Sequence, residues 1–158
     1  LNSEFMRYCI ADLAEAEGEV PRHVLSKSVC ISADVTAAYD PHYASAYEAQ
    51  NSCYINGGLG IAKYTGSRGK GGSHDANAEF VGRIRRTFDD ADVLWQIGEL
   101  GKGDQGGGGT VAKFIANLNV DVIDVGVPVL SMHAPFEVVS KLDVYMAYKG
   151  FKAFFEEK

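Results

Sequence analysis

Two side chains of metal-binding type stand at the ends of apolar runs: Asp34 in SVCISADVTAAYDPHY and His133 in VDVIDVGVPVLSMHAPFE. A carboxylate oxygen and an imidazole nitrogen are both good ligands for a divalent transition metal. In an open α/β sheet, ligands collect outside the carboxyl ends of the strands, so an Asp and a His just past two strands can face one crevice. Two ligands make only half of a metal site. Either the pairing is accidental, or the chain is incomplete.

Each residue also has a plainer reading. Asp34 follows Ile31, Ser32 and Ala33 at an expected strand end, where a carboxylate is costly to desolvate unless it is paired, hydrogen-bonded or on a metal. It can instead cap its own turn. His133, between Met132 and Ala134 and directly before an expected helix, can satisfy a core hydrogen bond. His42, after Pro41, and His74, expected to open a helix beside Asp75, compete as ligands but read as solvated residues. Asp40 reads equally as a turn residue before Pro41.

Two glycine-rich stretches, TGSRGKGGSHD and GELGKGDQGGGGT, invite a phosphate-site reading that fails on spacing. A P-loop requires GxxxxGK followed by Ser or Thr, whereas Gly69-Lys70 and Gly101-Lys102 are each followed by Gly. The run Gly106, Gly107, Gly108, Gly109 and Thr110 before a helix still lets backbone amides approach a bound oxygen closely, or it is a flexible connection. Neither a GxSxG elbow nor an HExxH motif occurs.

The elements that must position these residues follow from periodicity. A stripe of Phe5, Met6, Cys9, Ile10 and Leu13, with Asn2 or Ser3 as cap, predicts an opening helix. It begins almost at once, as in a chain joined mid-fold. A short second helix follows Pro21. Strands are expected over Ser28–Asp34, Leu59–Tyr64, Val93–Ile97 and Val120–Leu130. A loop of about twenty residues after the first strand is long enough to be functional or to pack as a lid. Helices are expected from Asp75 to Phe88, with Phe80, Val81, Ile84 and Phe88 on one face, and from Thr110 to Leu118. A last helix from Pro135 to the end would turn Leu142, Tyr145, Tyr148, Phe151 and Phe155 inward.

Strands alternating with helices give an α/β fold with helices on both faces of the sheet. The 158 residues, 46% hydrophobic and 23% charged, suit one domain with a substantial core. A net charge of −6 offers no footprint for nucleic acid or an anionic membrane surface, and the apolar runs are strand-sized rather than membrane-spanning. Three cysteines without CxxC spacing point to a reduced, cytoplasmic setting.

The segments ISADVTAAYDPHY, NGGLGIAKY, GELGKGDQGGGGT and DVIDVGVPVLSMHAPFEVVSKLDVYMAYKGFKAFFE resemble the aminopeptidase I family of zinc metallopeptidases, which includes aspartyl aminopeptidase. The resemblance runs from Lys27 onward. It implies a three-layer α/β/α sandwich of the zinc-peptidase type, of which residues 1–158 would form the C-terminal segment of the catalytic domain. It further implies two zinc ions per complete site, with Asp34 and His133 each supplying a ligand to one ion. The remaining ligands and the general-base Glu would lie upstream, so no catalytic base is expected in this chain. Gly106 to Thr110 match the family's substrate-pocket loop. Peptide substrates and a dodecameric homo-oligomer are implied as partners, with aromatic residues near the C-terminus, such as Tyr148, Phe151, Phe154 and Phe155, either at the interface or in the core. Aspartyl aminopeptidases carry histidines where this chain has Ala37 and Asp40. The resemblance is therefore closer to the bacterial branch, and a preference for acidic N-terminal residues does not carry over. The competing expectation is a catalytically inactive scaffold or interaction fragment of the same ancestry.

Overall fold

The computed structural model describes residues 3–65, 74–102, 105–108 and 110–157. Gly109, the expected cap Asn2 and most of the first glycine-rich stretch, including Gly69-Lys70, lie outside them.

The sheet is built from β1 (Val29–Ala37), β2 (Leu59–Ala62), β5 (Trp95–Ile97) and β6 (Asp121–Leu130), in the order β1-β6-β2-β5. A short β7 (Val138–Val139) pairs with the end of β6, and β3 (Tyr64–Thr65) and β4 (His74–Asp75) form a separate ribbon. β1 and β6 run parallel from Val29 opposite Asp121 to Ala37 opposite Val129, while β2 is antiparallel to β6. The sheet is therefore mixed.

Because side chains alternate along a strand, β6 divides its residues between two environments. Ile123 and Val125 face α3 (Ala78–Asp90) and α5 (Lys141–Glu156), in a core completed by Leu59, Ile61, Phe80, Ile84 and Phe88. Val122 faces the other way, into a smaller cluster with Ala112, Cys30 and Leu25, under α2 (Pro21–Lys27) and α4 (Ala112–Ala116). The result is the expected three-layer α/β/α arrangement.

Several expectations are corrected. β1 continues three residues past Asp34, because Val35 to Ala37 keep pairing with β6. The helix expected from Asp75 starts at Ala78, where the Asn77 side chain accepts a hydrogen bond from Phe80 N. α4 is a single turn rather than a helix from Thr110 to Leu118. The twenty-residue loop is ordered by two 3-10 segments and a Tyr39, Tyr47, Tyr54 ring cluster. Asp40 does act as a turn residue there, its carboxylate accepting from His42 N.

The last helix begins at Lys141, capped by Ser140, because Val138 and Val139 are held in the sheet by β6. It is also rotated relative to the expected face. Asp143, Ala147 and Gly150 point inward, Phe151 and Phe154 flank the core, and Leu142, Tyr145, Tyr148 and Phe155 are exposed. Two contacts set that rotation. The Asp143 carboxylate accepts from Asn56 N at 2.9 Å and Gly58 N at 2.8 Å. Gly150 lies so close to the sheet that an added Cβ would come within 2.7 Å of Leu59 Cδ1. The opening helix, α1 (Phe5–Ala16), is uncapped by side chains and buries only Ala14, leaving Phe5 and Leu13 exposed.

Candidate metal and substrate site

A cavity of about 350 Å³ opens on the small-residue face of the sheet. Its floor comprises residues that share one side by alternation and register: Asp34 on β1, Asp124 and Gly126 on β6, and Gly60 and Ala62 on β2. The floor can be open because β6 and β2 place Gly126 opposite Gly60. A Cβ at Gly126 would lie 2.8 Å from the Val35 carbonyl carbon and 2.9 Å from Asp34 O.

The walls bring in the other expected residues. His133 lines the cavity together with Gly106, Gly107, Gly108 and Thr110. The structure thus gathers Asp34, His133 and the described part of the glycine-rich loop at one place. His133 does not immediately precede a helix, nor is it a core histidine; it is exposed, in a turn after β6. Ser131 and His133 both take left-handed backbone angles, φ 58° and 67°. Non-glycine residues held there cost free energy and cluster at functional sites. Glu137 holds the turn by accepting from His133 N at 2.6 Å.

Asp34 is exposed, and its Oδ1 accepts from Val35 N at 2.8 Å. The self-capping reading is therefore met by one oxygen and leaves Oδ2 for another partner. The competing histidines are elsewhere. His42 is solvated beside Asp40, and His74 is buried in β4 rather than exposed at a helix start.

The glycine-rich loop folds on itself. Gly106 N donates to Lys102 O at 2.7 Å, and a Cβ at Gly106 would meet Gly101 Cα at 2.7 Å, so only glycine permits that approach. The Gly106 amide is consequently used inside the loop, while Gly107 and Gly108 still line the cavity.

Sequence reasoning missed a polar cluster at the cavity floor. Thr65 Oγ1 donates to Asp124 Oδ2 at 3.3 Å and lies 3.3 Å from Thr110 Oγ1 and 3.4 Å from His74 Nδ1. His74 Nε2 stands 3.6 Å from Asp124 Oδ2, too far for a hydrogen bond. Among the described residues, Asp124 Oδ1, His74 Nε2 and Ser32 Oγ make no hydrogen bond of good geometry, although the Ser32 hydroxyl lies near the Asp124 carboxylate. Burial raises the Asp124 carboxyl above the ordinary range, opposed by the nearby Ser32 and Thr110 hydroxyls, by His74 and by Thr65. Glu99, which bonds the Tyr64 hydroxyl, is also raised, by burial and then by Glu48. One signal could have found Asp124: a carboxylate in the middle of a buried apolar strand rarely lacks a role.

As zinc ligands, Asp34 and His133 fit in chemistry, being a carboxylate and an imidazole that open on one cavity. They fall short in number. No group of three or more His, Cys, Asp or Glu gathers to hold a metal among the described residues.

The protein is thus an α/β/α sandwich with one closed apolar face and one open, cavity-bearing face lined by Asp34 and His133. The sequence profile of the aminopeptidase I zinc metalloprotease (M18) family matches residues 1–155, and the chain belongs to that family. A curated relative, the probable M18 family aminopeptidase 1 of Clostridium acetobutylicum, is 44% identical over 158 residues, covering 98% of this chain and 34% of its own length. The crystal structure of aminopeptidase I from Clostridium acetobutylicum superposes with a TM-score of 0.89 at 45% identity, covering 98% of this chain and 34% of that one. The M18-family aminopeptidase from Thermotoga maritima superposes with a TM-score of 0.93 at 38% identity, covering 99% and 36%. These bacterial relatives agree with the branch indicated by Ala37 and Asp40. The chain spans about a third of their length.

Proposed function

We propose that this segment works as the C-terminal part of a zinc-dependent aminopeptidase, releasing N-terminal amino acids from peptides. The observation that supports this reading best is the placement of Asp34, His133 and the glycine-rich loop around one cavity in a chain of this family.

In this reading the Asp34 carboxylate and the His133 imidazole would each hold one of two zinc ions, and the other ligands and the general-base Glu would come from residues outside this sequence. Bound there, zinc would supply Lewis acidity toward a carbonyl and would lower the pKa of water. The chain's own residues do the positioning. The bond to Val35 N orients the Asp34 carboxylate, the strained turn held by Glu137 fixes the approach of His133, and Gly107 and Gly108 offer backbone to the substrate main chain. Their lack of side chains keeps that wall close to a bound peptide.

We further assign the protein to the cytoplasm, consistent with three free cysteines. Assembly as a dodecamer is part of the same proposal. Tyr145, Tyr148 and Phe155, exposed along α5, offer apolar surface for an interface.

A second reading applies to the 158 residues by themselves. Asp34 and His133 do not complete a zinc site, so the isolated segment would be inactive and serve only as a scaffold.

The test is an aminopeptidase assay on the complete protein that carries this segment. Activity should disappear with a chelator and return with zinc. Activity indifferent to chelation, or none in the zinc-loaded protein, would contradict the proposal.

A further inference from the structure

Three hydroxyls from separate parts of the chain converge on one carboxylate at the cavity floor. Thr65, at the end of β3, donates to Asp124 Oδ2 at 3.3 Å, and the hydroxyls of Ser32 on β1 and Thr110 in the glycine-rich loop also lie by that carboxylate. Thr65 Oγ1 is in turn 3.3 Å from Thr110 Oγ1 and 3.4 Å from His74 Nδ1. Most side-chain hydrogen bonds run to backbone or water. Here side chains 45 and 59 positions apart bond to one another, with the buried Asp124 as their acceptor.

Thr110 is the member that reaches the substrate wall. Its oxygen also accepts from Ala112 N at 3.2 Å, which ties the end of the loop to the fully buried first residue of α4. At its other end the loop is closed by the bond from Gly106 N to Lys102 O and by the approach of Gly106 to Gly101. Gly107 and Gly108, which line the cavity, therefore stand between two anchors. Glycine loses more backbone freedom on ordering than any other residue. A glycine loop that orders only around a peptide weakens binding by that entropy, whereas one anchored beforehand does not.

Resting on the aminopeptidase reading, we propose that Thr65 and Asp124 are positioning residues for the reaction: they clamp the Thr110 hydroxyl, and through it fix Gly107 and Gly108 where the substrate main chain lies along them. Neither has to touch the peptide. Asp124 is carried by β6, the strand paired with the β1 that carries Asp34, so the clamp holds the loop and the proposed metal ligand in one frame.

The experiment uses the complete zinc-loaded protein, with trialanine as substrate. Thr65→Val and Thr110→Val should each lower kcat/KM by about tenfold, the scale of one hydrogen bond to a charged group, with zinc content unchanged. The loss should appear mainly as a rise in KM, because main-chain contacts are made in the ground and transition states alike. Residues acting through one network are not additive, so the double variant should lose little more than either single one. Thr65→Ser keeps the hydroxyl and should stay within about twofold of the parent. Amide exchange at Gly107, Gly108 and Ala112 should be faster in Thr65→Val than in the parent, a readout that needs no activity; Thr110→Val serves the same purpose should Thr65→Val fold poorly. Parental kinetics in Thr65→Val, additive losses in the double variant, or unchanged exchange in the loop would each overturn the proposal while leaving the aminopeptidase reading intact. No hydrolysis by the zinc-loaded parent would instead refute that reading, and with it the reaction this clamp serves.

Discussion

The two faces of β6 differ by one residue of register and share almost nothing else. On one face Ile123 and Val125 are sealed under α3 and α5; on the other, Asp124 and Gly126 form the floor of an open cavity. Each face also has a buried carboxylate nearby, and the contrast between them is instructive. Asp143, on the apolar side, has both oxygens matched by backbone N–H groups, and ties α5 to the turn before β2. Asp124, on the cavity side, is met only by side chains, the Thr65, Thr110 and Ser32 hydroxyls, and among the described residues its Oδ1 makes no hydrogen bond of good geometry. A carboxylate whose partners are complete belongs to the architecture. One held only by hydroxyl side chains at a cavity is more weakly compensated, and burial raises its carboxyl.

Substitutions can break this comparison. The largest effect is expected on the sealed face: Phe88→Ala, at a fully buried position, should cost about 3–5 kcal/mol of stability, read by denaturant unfolding. Gly126→Ala should instead act on function. Its Cβ would press on the Asp34 and Val35 backbone, and with Asp34 in the role proposed for it a displacement of about 1 Å should lower kcat/KM by about 100-fold.

Asp143→Asn retains one acceptor oxygen and leaves one buried N–H unmatched, so unfolding should show a loss of about 1–3 kcal/mol. Asp124→Asn should show the opposite sign at neutral pH. The Asp124 carboxyl is raised in the folded protein above its ordinary 3.8, so its contribution to stability is fully present below that value and lost as pH rises through the folded value. The melting temperature of the parent relative to Asp124→Asn should therefore fall as the pH rises above about 4, the range in which the unfolded carboxyl has already lost its proton. A flat difference would show that Asp124 titrates as it does in the unfolded chain.

Much of this arrangement was legible in the sequence. The strands were readable as strand-sized apolar runs alternating with helical stretches, and α3 because Phe80, Ile84 and Phe88 repeat at helical spacing. Asp34, His133 and the loop around Gly107 were found through residue type and resemblance. The errors have physical causes. On α5, periodicity favoured the aromatic residues as the inward face, but the bonds from Asp143 and the close approach at Gly150 turned the helix so that Tyr145 and Tyr148 face outward. Pro135 suggested a helix start, yet strand pairing of Val138 and Val139 delayed it to Lys141. The cluster of Thr65, His74, Thr110 and Asp124 joins residues up to 59 positions apart through hydrogen bonds. Such long-range pairings leave no local period to read.

The measurement that bears most directly on the central claim is zinc content together with aminopeptidase activity in the complete protein carrying Asp34→Ala or His133→Ala. Both variants should remain folded, bind less zinc than the parent, and lose activity by more than the roughly 10–100-fold associated with an outer-shell partner of a metal. Full zinc content and undiminished hydrolysis in either variant would contradict the account, and would place the metal centre away from the open face of the sheet.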